Sequence, residues 1–141
     1  MVITQAILDD LSRRAKNSPR LRMNLDLRNS EKDCSQRMLN AIEPGSPECI
    51  HRHQHTSETV VCIRGRVVEE FYDELDGSAG SPQGICTDSI VMTPNGPNVA
   101  VNIPAGQWHS IRAVESGSVV LSCKDGRYEP IHEVDILQVK R

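Results

Sequence analysis

The order of apolar and polar positions predicts one helix followed by a long succession of short strands. Ile7, Leu8, Leu11 and Ala15 recur at helical spacing behind Thr4, whose hydroxyl is suited to cap the first turn. Asp9 and Asp10 come early in this segment and Arg13, Arg14 and Lys16 late, the charge order a helix dipole favours, and Pro19 bars its continuation. From Leu21 the period changes to two: Leu21, Met23, Leu25 and Leu27 alternate with Arg22, Asn24 and Asp26, the pattern of a strand with one buried face. The helix is therefore expected to lay its apolar stripe on a sheet. A polar loop over 29–34, a strand over 36–42 and a turn at Glu43-Pro44-Gly45-Ser46-Pro47 follow.

The remainder reads as strands separated by turns. β-Formers at 59–63, a tight turn at Gly65 and a return strand over 67–72 predict a hairpin. Residues 73–84, rich in Asp, Gly, Ser and Pro, predict a surface loop, and a strand over 85–92 leads to a second turn at Thr93-Pro94-Asn95-Gly96-Pro97. Val99, Val101 and Ile103 alternate until Pro104-Ala105-Gly106, and further strands are expected near 110–114 and 119–123, around Ser116-Gly117-Ser118. There is no internal repeat, low-complexity block or interdomain linker. One helix followed by many short strands with Gly and Pro turns predicts an all-β sandwich or barrel.

Composition narrows this picture. A chain of 141 residues is the size of one domain, and with 3% aromatic residues its core must be built from Val, Ile, Leu and Met. A net charge of -3 and a pI near 5.9, with no basic stripe, argue against nucleic acid or an anionic membrane as partner. No apolar run approaches the roughly 18 residues of a spanning helix and the N-terminus lacks a signal-type apolar core, so a cytoplasmic location without membrane association is expected. Cys34, Cys49, Cys62, Cys86 and Cys123 are scattered without a CxxC pair, which argues against a disulfide framework or a thiolate zinc site and suggests buried free thiols.

The candidate chemistry lies in His51-Arg52-His53-Gln54-His55, followed by Glu58. In an extended strand alternate side chains share a face and rise roughly 6.6 Å per pair, so His51, His53 and His55 point one way. Glu58, beyond a short bend, can return to the same point from a neighbouring strand. Imidazole nitrogen and carboxylate oxygen are ligands that borderline divalent cations accept, and a metal explains this face better than a solvated His-rich edge strand does. Arg20 and Arg22 flank the first strand and read as solvated or ion-paired charge, with a clamp for an anionic sugar as the other reading. His132 reads as a surface histidine, and the acidic residues at 73–76 read as loop solvation rather than a calcium site.

The spacing Gly45-x5-His51-x-His53-x4-Glu58-x6-Gly65 matches the first motif of the cupin superfamily at every fixed position. Pro104-x-Gly106-x-x-His109 resembles the second, with Asn98 where its leading Gly is expected and Ala113 in place of its final Asn. Ser18-Pro19-Arg20-x-Arg22-x-Asn24, Gln36-Arg37-Met38-Leu39-Asn40-Ala41, Glu43-Pro44-Gly45-Ser46, His51-Arg52-His53 and Arg64-Gly65-Arg66 extend the likeness across almost the whole chain. Together they resemble the small bacterial WbuC-type cupin fold metalloproteins. The resemblance implies an all-β, single-domain cupin jelly-roll β-barrel over 36–141, with an N-terminal helix and strand extension, 1–35, packed on it. It also implies a homodimer, and one divalent metal (iron, manganese, nickel or zinc) held by His51, His53, Glu58 and His109.

The implied role is action on, or binding of, a sugar or sugar-nucleotide metabolite in bacterial surface-polysaccharide (O-antigen) metabolism, with isomerase or epimerase chemistry if it is an enzyme. The alternatives are a non-catalytic, metal-dependent small-molecule binding or sensing module and an iron-dependent dioxygenase. Four ligands already complete a metal site, so His55 is expected beside it as a proton-transfer or substrate-orienting group. Gln107 shares the face of His109 and is expected to touch substrate, whereas Trp108 falls on the opposite face and is expected to pack in the core or an interface.

Overall fold

Strand alternation gives each of the two sheets an inner and an outer side. In the computed structural model, which describes residues 1–75 and 83–139, β1 (Arg22–Asp26) pairs antiparallel with β2 (Ser35–Ile42). Within β2, Met38, Asn40 and Ile42 turn inward while Leu39 and Ala41 turn outward, because successive side chains of a strand face opposite ways. The outward set meets α1 (Gln5–Lys16), whose Leu8, Leu11 and Ala15 pack with Leu39, Ala41 and Val119. Thr4 caps this helix, its Oγ1 accepting from the Ile7 amide at 3.3 Å. The switch from helical to strand period near Leu21 thus marks two apolar faces that bury each other.

The first sheet runs β1-β2-β9-β4-β7, with β4 at Glu58–Arg64, β7 at Ala100–Ile103 and β9 at Ser118–Asp125. The second runs β10-β3-β8-β5-β6, from β3 (Ile50–His51), β5 (Val67–Leu75), β6 (Gln83–Met92), β8 (Trp108–Ala113) and β10 (Ile136–Val139). It closes on itself where β10 pairs parallel with β6, Gln138 opposite Gln83. Ile42, Val60, Cys62, Val67, Met92, Ile103, Ala113 and Val120 fill the space between the sheets as one core. The result is the all-β jelly-roll barrel with an N-terminal helix. At Gly65, which joins β4 to β5 with φ of 79°, a Cβ would lie 2.3 Å from the Ser118 hydroxyl oxygen, so only glycine fits this turn.

Four local features differ from the sequence reading. The histidine run is not one strand: β3 ends at His51, because the Arg52 amide bonds the Asp135 carbonyl and the His53 carbonyl accepts from Gly106 instead of from a ladder partner. A C-terminal strand, β10, was not anticipated, since four residues after a polar tail give too short a period to register. Cys62 alone of the five cysteines is fully buried; Cys34, Cys49 and Cys86 are exposed and Cys123 is half-buried, and all are free. The expected loop over 73–84 is narrower, with β5 continuing to Leu75 and β6 starting at Gln83, and its middle, 76–82, lies outside the described residues.

Candidate metal centre and its cavity

His51, His53, Glu58 and His109 each bring one donor atom to a common point, all within 4.8 Å of one another. His51 and His109 are direct cross-strand partners of β3 and β8, with ring centroids 4.4 Å apart. His53 follows just beyond β3, its carbonyl fixed by the Gly106 amide at 2.7 Å, so the turn of the second motif anchors the histidines of the first. Glu58 opens β4 in the other sheet, and the cluster therefore ties the two sheets together.

The hydrogen bonds behind these side chains set which atoms face inward. His51 Nδ1 donates to the Cys49 carbonyl and His109 Nδ1 to the Gln107 carbonyl, each at 2.9 Å, which leaves both Nε2 lone pairs free to bind a cation. Glu58 Oε1 accepts from the Ser122 hydroxyl and lies 3.8 Å from Lys124 Nζ. Its other oxygen, Oε2, stands 3.5 Å from His53 Nε2 and 3.3 Å from His109 Nε2. Glu58 Oε2 and His53 Nε2 are buried without a hydrogen-bond partner, a costly arrangement unless both atoms bind a third group.

The electrostatics favour the ligand forms of these groups. Burial, reinforced by His109, lowers His51 to about 4, so its imidazole is neutral at physiological pH. Burial alone would raise Glu58, yet His109, His53 and Lys124 hold it well below the ordinary carboxylate range. Metal ligands must be deprotonated, and three imidazoles with one carboxylate are a donor set that iron, manganese, nickel and zinc all accept. The residues present fit a divalent metal.

The cluster borders a cavity of about 780 Å³ between the sheets. His55 lines its mouth and is exposed, outside the four-ligand group, because the chain bends away after His53. Gln107 is not among the lining residues; its amide Nε2 donates to the carbonyls of Tyr72 and Trp108 at 3.2 and 3.0 Å, while its own carbonyl holds His109. Trp108 is buried with Ile50, Tyr72 and Leu137 on the outer side of the second sheet, under the Arg52 guanidinium. His132 is exposed and contributes to the cavity rim.

One cavity residue escaped the sequence reading. Glu69 is 1% exposed on β5, and burial, together with the charge of Glu58, pushes its carboxyl up to about 9. The signal was present in the alternation of Val67, Glu69 and Phe71, which puts an acid on the same face as two core residues.

The fold is shared with several solved structures, each at low identity. An oxalate oxidase in complex with glycolate is 15% identical, with a TM-score of 0.60 over 83% of this chain and 57% of that one. The capsular polysaccharide assembling protein CapF of Staphylococcus aureus is 18% identical, with a TM-score of 0.57 over 88% of this chain and 33% of that one. The cupin domain of Schizosaccharomyces pombe Cnp3 is 13% identical, with a TM-score of 0.51 over 76% of this chain and 65% of that one. The chain thus spans little more than half of the oxalate oxidase and a third of CapF, and what the likeness carries is the cupin jelly-roll fold. No curated protein matches the sequence. Residues 3–80, more than half of the chain, match the family described as a domain of unknown function, DUF6016, and the chain belongs to that family.

Proposed function

We propose that this protein is a small metal-binding cupin of the WbuC type, which binds one divalent ion through His51, His53, Glu58 and His109 and acts on, or binds, a sugar or sugar-nucleotide metabolite of bacterial surface-polysaccharide metabolism. The observation that carries the metal assignment is the convergence of four donors, two of whose atoms are buried and unpartnered, at the wall of a cavity large enough for a small metabolite. The likeness to CapF, a capsular polysaccharide assembling protein, supports the pathway assignment. An ion bound here supplies Lewis acidity toward a carbonyl or hydroxyl of the ligand.

The protein's own residues do the rest. The carbonyls of Cys49 and Gln107 orient His51 and His109, so Gln107 serves as a positioning residue through its backbone. The Ser122 hydroxyl holds Glu58 in place, and His109, His53 and Lys124 favour its ionised form. His55, at the mouth, moves a proton or orients the entering molecule. In this reading the helix and first strand are an integral extension of the barrel, and the protein works as a cytoplasmic homodimer; among the described residues no helix is long and apolar enough to cross a membrane.

The test is elemental analysis of untagged protein beside His53→Ala and His109→Ala. Wild type should carry one divalent ion per chain and each variant well under half of that; stoichiometric metal in both variants would sink the assignment. A screen of sugars and nucleotide sugars, run under air and under nitrogen, then reads turnover and its oxygen dependence.

A further inference from the structure

One wall of the cavity is only lightly attached to the barrel. Between the end of β9 at Asp125 and the start of β10 at Ile136 the chain forms no strand, and its one regular element is a short 3-10 turn at Glu133–Asp135. Residues 127–134 are all exposed, yet Arg127, Tyr128, Ile131, His132 and Val134 line the cavity. Among the described residues, no backbone hydrogen bond ties 127–134 to the barrel; the His132 carbonyl accepts from the Asp135 amide, within the turn itself. A stretch with so few ties opens far more readily than the core around it.

The attachments lie at its two ends, and both meet the loop that carries His53. At the first end the Gly126 carbonyl accepts from Gln36 Nε2 at 2.9 Å, and Asp125 Oδ1 accepts from the Ser57 amide at 2.7 Å. At the second, the buried Asp135 accepts through Oδ1 from Arg52 Nε at 2.8 Å and from Gln54 Nε2 at 2.6 Å, and its carbonyl accepts from the Arg52 amide at 3.2 Å. Arg52 and Gln54 are the chain neighbours of His53. Because β3 ends at His51, no ladder holds His53: its carbonyl accepts from the Gly106 amide, and its two neighbours are held by Asp135, with the Arg52 guanidinium also 4.4 Å from the centre of the Trp108 ring. Hydrogen bonds to an ionised carboxylate are stronger than those between neutral groups, so Asp135 is the main tie at this end.

We propose that residues 126–135 form a strap that opens and closes at the cavity mouth, and that Asp135 is the positioning residue through which the closed strap holds His53 in place to bind metal. The coupling between strap and ion rests on the metal reading above; the docking of the strap through Asp135 needs only the chain's own side chains. Coupling of this kind is reciprocal: whatever factor the closed strap adds to metal affinity, a bound ion must add to closure of the strap. A purely structural Asp135 would stabilise the fold without linking the two.

The test loads full-length protein with cobalt(II), follows its release to excess chelator by the visible absorption of the ion, and reads amide exchange at Asp135 with and without cobalt. Asp135→Ala should release cobalt about tenfold or more faster than wild type, whereas Glu129→Gln, which removes a charge from the strap and leaves the Asp135 contacts intact, should stay within about twofold. Cobalt should slow exchange of the wild-type Asp135 amide about tenfold or more, and by no more than about threefold in Asp135→Ala. Should Asp135→Ala not fold, Asp135→Asn, which keeps an acceptor oxygen and loses the charge, should still release cobalt about threefold or more faster. Release from the Asp135 variants at the wild-type rate, equal acceleration by Glu129→Gln, or a wild-type Asp135 amide indifferent to cobalt would overturn the proposal and leave the metal reading standing. Wild-type protein that takes up no cobalt or other divalent ion would overturn the metal reading and the coupling together.

Discussion

At the scale of single residues, position relative to the metal cluster separates coordination from chemistry. His55 lies at the cavity mouth outside the group of four, so His55→Ala should keep its metal by elemental analysis and lose about 10²- to 10⁴-fold in turnover once a substrate is in hand. Metal loss as complete as in His53→Ala would place it among the ligands instead. Glu69 predicts the opposite kind of effect. Its carboxyl is pushed from the ordinary 4.5 up to about 9, so between those values the folded chain holds a proton that the unfolded chain releases. Stability therefore falls as pH rises through that window. Glu69→Gln does not titrate, and its melting temperature in metal-free protein should exceed that of wild type by a margin that widens from pH 5 to pH 9. Each kcal/mol gained is worth roughly 2–4 °C in a chain near this size. A margin that does not change with pH would count against a carboxyl held protonated by the fold.

At the scale of elements, two segments outside the barrel strands hold the site together. We propose that α1 and β1 belong to the domain: Leu8, Leu11 and Ala15 are buried on Leu39, Ala41 and Val119, and β1 carries Arg22 to the cavity wall. Each buried leucine contributes about 1.5–3 kcal/mol, so removing residues 1–28 should cause aggregation or a large loss of melting temperature. An unchanged melting temperature and oligomeric state would refute it. The C-terminal segment is latched to the histidine loop through Asp135, which accepts from Arg52 Nε at 2.8 Å and Gln54 Nε2 at 2.6 Å. The Arg52 hydrogen bond is what chiefly lowers the Asp135 carboxyl below its ordinary 3.8. The latch is accordingly at full strength above that value and weakens as pH falls through the lower folded one. Asp135→Asn should raise amide exchange over 130–138 at neutral pH to the level wild type reaches only in acid, and equal exchange in the two proteins at pH 7 would count against the latch.

For the whole molecule, the distribution of donors over both sheets makes metal binding a brace between them. His51 and His109 belong to the second sheet and Glu58 to the first, so an ion that binds only the folded chain should raise its stability by about 2.7 kcal/mol when free metal stands at 100 times Kd. Stripping with a chelator should lower the melting temperature and re-addition restore it; a curve indifferent to both would mean that these donors hold no ion. Much of this was legible in the chain. The period change at Leu21, the Gly and Pro turns and the strand alternation determine a helix on a β-barrel, because those signals are local: each depends on neighbours within a few residues. The spacing of His51, His53 and Glu58 likewise marks a candidate metal site, and the second motif supplies His109. What only the tertiary structure decided is which side chains share the interior. The end of β3 at His51, with His55 turned to the mouth, follows from backbone bonds to Asp135 and Gly106, far away in sequence. The placing of Arg22 and Glu69 in one cavity lining, though they are far apart in sequence, follows from the register that sets Glu69 opposite Ile111, whose carbonyl accepts from Arg22. Burial and partnership are properties of the closed barrel, and no window of sequence contains both halves of such a contact.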